Sequence, residues 1–358
     1  VISIAYITGR SQPHWEWFVH SFCAQTTPEQ RKQTQVIFID GKLWPQCALP
    51  ANGATEINLA DHFYHDPKRR YDLEMVVNKR FPYLHIPPKP NVLQGPFKLT
   101  KRDFFCASNT RNTAIIAAKG DYLLCVDDLS VLMPGWIDQA MHAASSGYCV
   151  CGAYKKVKNM SVIPYVDQYM DDVPDRNPLV QCDEFSGGVD SRWSRGDDSG
   201  IVPWSGAGLF GCSFGLPIET ALAVDGFEPA CNGEGGEDFD FGIRVERSGI
   251  KIFYNRNMLT LESEEGHHDG ESLPRERRIV NRDRLPAGYD AYQMPNQAEK
   301  YYSDHVLLNR VCNETSRITP ILPEGLRTIR ERFMMFGMVP IPRGPALDWR
   351  DNTPLELL

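Results

Sequence analysis

Three apolar runs, each stopping at a polar residue, constrain this chain more than any other feature. Ile2 to Ile7 stops at Thr8-Gly9-Arg10, Val36 to Ile39 at Asp40-Gly41, and Tyr122 to Val126 at Asp127-Asp128. Runs this short and this continuous read as strands covered on both faces. Between the first two, Pro13 to Gln25 places a proline near a helix start and Trp and Phe residues at helical spacing. Before the third, "ASNTRNTAIIAAKG" offers Ser108 or Asn109 as a cap, continues through alanine and isoleucine, and stops at Gly120. Strand-helix-strand alternation of this kind predicts an α/β fold, a mainly parallel sheet flanked by helices. Such sheets bind ligands beyond the carboxyl ends of their strands. Thr8, Arg10, Asp40, Asp127 and Asp128 all fall there.

The acid pair raises a question of charge. The next basic residue downstream of Asp127-Asp128 is Lys155, so the pair either solvates a strand end or awaits a cation. Mg²⁺ and Mn²⁺ take oxygen ligands, commonly one or two carboxylates plus substrate phosphates. For two acids taken alone, solvation is the commoner explanation.

Residues 41–105 interrupt the alternation with a proline-rich stretch, "HIPPKPNVLQGPFKLTKRDFF", and read as an insertion packed on the sheet. Further on, residues 182–206 form a long Gly/Ser/Asp-rich loop carrying Trp193 and Trp204. "GAGLFGCSFGLP" follows, with small residues where backbone can approach a ligand closely. "CNGEGGEDFDFGIRVERSG" predicts a Gly-rich turn and a helix from Glu237 to Ser248. Its first-turn acids suit the helix dipole, and a carboxylate at that rigid start can also act as a general base. "IKIFYN" is one more strand, and "ESEEGHHDG" sets His267-His268 in an acidic loop, as metal ligands or as pH-sensitive surface groups. A helical segment is expected near 296–312 and a Pro-rich tail from 339.

Composition excludes some classes. A net charge of −8 over 358 residues argues against a general nucleic-acid or membrane-surface binder. Lys68-Arg69-Arg70 and Lys155-Lys156-Val157-Lys158 read as solvated loops. Ten scattered cysteines without a C-x-x-C pair read as reduced, buried thiols. With a strand pattern at residues 1–10 and no run of membrane-spanning length, the expectation is a soluble, cytoplasmic protein.

Order and spacing make the pattern more specific. "TRNTAIIAAKGDYLLCVDDLSVLMPGW" resembles the Arg-Asn helix, G-D-Y strand, D-x-D-like turn and P-G-W of GT-A-fold glycosyltransferases of the large family 2 type. "FGCSFGLPIETALAVDGFEPACNGEGGEDFDFGIRVERSG" is similar to the F-G-G…N-G-F…G-G-E-D-D-D segment of β-1,4-galactosyltransferases. The resemblance implies a catalytic domain over 1–268, with a nucleotide-binding half at 1–130 and an acceptor/catalytic half at 131–268. An extension at 269–358 would follow. It implies a UDP- or GDP-sugar donor, an Mn²⁺ or Mg²⁺ ion, and an acceptor glycan or other hydroxyl compound. Thr8, Arg10, Asp40, Arg111, Asp127 and Gly211 would line the donor site, and Asp128 with His267 or His268 would hold the metal. Asp238 matches the catalytic base, with Glu237 beside it, while Asn112 braces the loop. Leu129 stands where a full D-D-D would have its third acid. Transfer by a single in-line displacement would invert the anomeric configuration.

Three alternatives compete. A nucleotidyltransferase would carry a Gly-rich basic phosphate loop after the first strand, where "ITGRSQPHW" has one glycine and one arginine. A silent carbohydrate- or nucleotide-binding module would have no use for Asp128, Asp238 and His267-His268 together. A glycosyltransferase acting on hydroxylated bases in DNA sits poorly with the overall acidity. A last expectation is that residues 183–205 close as a lid, with Trp193 or Trp204 over the sugar. The competing reading packs both tryptophans permanently into the core.

Overall fold

The computed structural model describes residues 2–43, 67–88, 105–165, 176–183, 190, 192–193, 200–227 and 236–264. His267, His268, the segment at 296–312, the Pro-rich tail and the extension 269–358 lie outside the described residues, as does most of 41–105.

The strands are β1 (Ile2–Thr8), β2 (Thr34–Asp40), β3 (Tyr83–Ile86), β4 (Tyr122–Asp127), β5 (Ser130–Leu132), β6 (Cys149–Val157), β7 (Ser161–Tyr165), β8 (Arg176–Gln181), β9 (Ile201–Pro203), β10 (Ser213–Pro217) and β11 (Ile252–Ser263). The helices are α1 (Trp15–Ala24), α2 (Pro28–Gln33), α3 (Pro67–Val77), α4 (Ala107–Ala117), α5 (Trp136–Ser146), α6 (Ile218–Ala223) and α7 (Glu237–Arg247). One nine-stranded sheet runs β3-β2-β1-β4-β10-β6-β11-β5, with β9 beside β11, and β7 and β8 form a separate hairpin. Only β10, β5 and β9 run against the others, so the sheet of this α/β fold is mainly parallel.

The apolar runs are continuous because alternate residues serve different faces. Ala5, Ile7, Ile37 and Ile39 join the core beneath α4, α6 and α7. Ile4, Tyr6, Val36 and Phe38 join the core of the opposite face, with Phe18 and Phe22 of α1, Leu73 of α3, and Trp136 of α5. Each such fully buried side chain stabilises the fold by about 1.5–3 kcal/mol. The P-G-W stretch acts the same way. Gly135 turns the chain with φ 89° at the start of α5, Trp136 is buried, and its indole Nε1 donates to Ser213 Oγ at 3.2 Å.

Three local expectations need correction. The insertion contributes to the architecture, because α3 packs on α1 and β3 extends the sheet in parallel next to β2. Neither Ser108 nor Asn109 caps α4, since the N-cap position is Cys106 and both lie inside the first turn. The strand read as "IKIFYN" is longer than expected and runs from Ile252 to Ser263, whereas the helix expected from about Glu237 to Ser248 spans Glu237–Arg247 with Ser248 as its C-cap. The described cysteines are free, and six are buried, with Cys182 exposed.

Among the described residues, no helix is long and apolar enough to cross a membrane.

Candidate active site

The register of the parallel strands sets the site. Thr8 is paired with Asp40, and Ile7 with Asp127, so three polar strand ends lie side by side. After β4 the chain reverses at Leu129, a non-glycine residue with φ 59°. The buried Tyr6 hydroxyl accepts from Leu129 N at 3.2 Å and donates to Pro13 O, which ties this turn to the start of α1.

The acid pair is not left without cations, contrary to the local reading of the sequence. Asp128 accepts from Thr8 Oγ1 at 2.7 Å and from Arg10 Nε at 3.0 Å. Burial nevertheless pushes its carboxyl up to about 6, against the pull of Arg10 and Thr8. Asp127 receives Arg111 Nη2 at 3.0 Å, and Arg111 Nη1 reaches Glu237 Oε1 at 2.6 Å. Arg111 is 4% exposed. Burial opposes its charge, but Asp127, Glu237 and Asp238 outweigh that and raise its pKa. Through this one guanidinium, the end of β4 and the start of α7 become a single site.

The second motif block folds as a unit around the same contact. Asn112 of α4 donates to Phe227 O at 2.8 Å and accepts from Phe227 N at 2.7 Å, bracing the D-G-F turn as the resemblance implied. Phe227 stacks on Phe241 of α7, with ring centroids 3.9 Å apart. The small residues before β10 also serve packing within the protein. Gly206 and Gly242 leave no room for a Cβ on either, so it is two stretches of protein backbone that approach there. A side chain on Gly211 would run into the Arg111 guanidinium. Gly211 N donates instead to Asp238 Oδ2 at 3.1 Å, while Asp238 Oδ1 accepts from Phe239 N at 2.8 Å. Asp238 is thereby aimed by two backbone donors.

At the other edge, Asp40 is fully buried and held by groups the sequence reading missed. Arg69 donates to both its oxygens, Nη2 to Oδ1 at 2.8 Å, and His85 Nε2 lies 3.1 Å from Oδ2. Arg69 also lies over the Trp15 ring, 5.0 Å from its centroid. It belongs to the basic run read as a solvated loop, whereas the lone polar ring in "YLHI" was a usable signal for His85. Burial opposes ionisation of Asp40, but His85 and Arg69 outweigh it and hold the carboxyl below its ordinary value. The stabilisation from that depressed pKa is therefore present above about pH 4 and is lost as pH falls through the folded value. Asp40→Asn is expected to lower stability by about 3 kcal/mol, because Arg69 is left buried without its anion. It should also flatten the acid limb of stability against pH, and urea titrations at pH 3–7 would measure both effects.

Trp193 and Trp204 pack against the core beneath α7. Lys155 Nζ lies 4.1 Å from the Trp193 ring centroid, and Trp204 lies 5.7 Å from Tyr254, ring to ring. Nearby, the buried Arg192 pairs with Asp190 at 2.8 Å and donates to Gly152 O at 2.8 Å, anchoring this part of the loop to β6. The rest of the expected lid, 184–189, 191 and 194–199, is outside the described residues.

Among the described residues, no group of three His, Cys, Asp or Glu side chains is assembled for a metal. The donor chemistry of Asp127 and Asp128 is still that of a hard, oxygen-bound cation.

No protein-family model and no curated protein matches the chain. Among solved structures, it is similar to S. aureus TarS at 12% identity and a TM-score of 0.45, over 85% of this chain and 42% of that one. It is similar to GalNAc-T7, solved with UDP, GalNAc and Mn²⁺, at 12% identity and a TM-score of 0.46, over 86% of this chain and 54% of that one. A TarS fragment, 1–349, in complex with UDP-GlcNAc gives 11% identity and a TM-score of 0.46, over 94% of this chain and 79% of that one. The chain spans about half the length, or less, of two of these three.

Proposed function

We propose that the protein is a metal-dependent, inverting glycosyltransferase of GT-A type, moving a sugar from a UDP- or GDP-sugar to an acceptor hydroxyl. One observation carries this reading: Arg111 joins the acid pair at a parallel strand end to the Glu237-Asp238 helix start. A donor site and a base for the acceptor are thereby set within one guanidinium's reach.

In this reading Asp40, Arg69 and His85 hold the base or ribose, and Thr8 and Arg10 border the diphosphate. Asp127 faces the ribose side and Asp128 holds the cation, with His267 or His268 as the further ligand the resemblance implies. When bound, the cation supplies positive charge to the departing diphosphate. Asp238 takes the acceptor proton as that oxygen attacks the anomeric carbon, and Glu237, fixed by Arg111, orients the acceptor.

A thermal-shift panel of nucleotide sugars with Mn²⁺ tests the reading, because a ligand that binds the folded state raises its stability. Asp128→Asn is expected to abolish metal-dependent donor binding and transfer. The Arg10–Asp128 ion pair supports a second reading, in which the guanidinium takes the cation's place and the enzyme works without metal. Transfer unchanged by EDTA would select that second reading.

A further inference from the structure

In the reading above Asp40 serves the base or ribose, yet its carboxylate has no acceptor position left to give. The two oxygens of a carboxylate offer about four lone-pair sites. Four donors fill them: Arg69 Nε and His85 Nε2 on Oδ2, Arg69 Nη2 and Lys42 N on Oδ1, the last at 2.9 Å. The residue is also fully buried. Arg69 is engaged beyond Asp40, donating to Arg10 O at 2.6 Å and to Ser11 O at 3.1 Å, which ties the loop after β1 to this corner. Asp40 therefore orients its partners, and a base has to be read by the groups around it.

Two polar atoms of that surrounding are uncommitted. Trp15 is 5% exposed and His85 7%, and among the described residues neither Trp15 Nε1 nor His85 Nδ1 has a hydrogen-bond partner. The two rings meet edge to face with centroids 5.5 Å apart, and Arg69 lies over the indole. Because Asp40 accepts from Nε2 at 3.1 Å, the neutral His85 ring presents Nδ1 as an acceptor, whereas the indole N–H is a donor only. Buried polar atoms without partners are rare in native structures, and two in one aromatic pair point to a third group that serves both. That group has to offer an N–H to His85 and an oxygen to Trp15. The Watson–Crick edge of uracil does so with N3–H and a flanking carbonyl, and that of guanine with N1–H and O6. Cytosine and adenine carry a bare ring nitrogen at that position, a second acceptor facing His85. A single buried water is the competing partner, which satisfies both atoms and selects no base.

We propose that His85 and Trp15 select the base of the donor, admitting the lactam edge of uracil or guanine and rejecting cytosine and adenine. The inference rests on the nucleotide-sugar reading above. It gives Asp40 the task of holding the His85 ring in the tautomer that accepts at Nδ1.

Calorimetric titration with UDP, CDP, GDP and ADP in the presence of Mn²⁺ tests this without an acceptor or an activity assay. The protein is expected to bind UDP at least ~10-fold tighter than CDP, or GDP tighter than ADP by the same margin. The tighter of UDP and GDP then names the base. His85→Phe keeps a ring in the core and removes the acceptor, so the preference should fall to within about 3-fold, through weaker binding of the preferred nucleotide. Trp15→Phe keeps a ring beneath Arg69 and removes the indole N–H. It should lose part of the preference, and it serves if the histidine variant does not fold. A packing role alone, or a bridging water, predicts instead that all four nucleotides weaken together and the preference survives. If UDP matches CDP and GDP matches ADP in the wild type, or if the preference is unchanged in the variants that fold, the inference is overturned and the donor reading stands. If none of the four nucleotides binds, both fall.

Discussion

Asp238→Asn is expected to lower turnover by roughly 10²–10⁴-fold while leaving donor affinity unchanged. Asparagine keeps the size of the side chain and one carbonyl oxygen, so an acceptor for Phe239 N or Gly211 N remains. What it loses is the capacity to take a proton. The local helix start should survive, because Glu237 and Asp240 still place acid in the first turn of α7. Initial rates at saturating donor, paired with calorimetric titration of the nucleotide sugar, separate the two effects. A parallel loss of donor binding would assign Asp238 a structural role at the head of the helix.

Arg111→Met is expected to destabilise the protein by about 3–5 kcal/mol, the cost of leaving buried charge without its partner. Two carboxylates depend on this guanidinium, and Glu237 is itself buried. Burial and then the neighbouring Asp238 already raise the pKa of Glu237, with Arg111 pulling the other way. Removing Arg111 should therefore drive Glu237 towards its protonated form. Chemical denaturation of the single variant and of Arg111→Met with Glu237→Gln measures the coupling. The double variant should recover part of the loss, since one of the two stranded charges is gone. A single variant as stable as the wild type would mean that the β4 end and α7 are held together by packing alone, through Phe227 and Phe241.

Much of the site was legible because strand ends and helix starts are local events. An apolar run followed by a polar residue announces where a parallel strand stops, and Thr8, Asp40 and Asp127 stop in register. The G-G-E-D stretch announced a helix start, and α7 begins at Glu237. The insertion was harder to read. Its α3 has little amphipathic contrast, with Tyr71 and Met75 exposed and only Leu73 and Val77 fully buried. β3 is four residues long and gains its stability from pairing with β2, which periodicity cannot show.

By itself, then, the sequence determined the α/β alternation, the strand ends that carry the acids, and the helix start that carries Asp238. Charge pairing was decided only by the tertiary structure. Arg10 meets Asp128 across 118 residues of chain, Arg69 meets Asp40 across 29, and Arg111 meets Glu237 across 126. The approach of Gly206 to Gly242 was decided in the same way. The physical reason is the range of the forces. Backbone propensity and periodic burial act within a few residues, whereas electrostatic and packing partners are chosen by distance in space, which only the folded sheet defines.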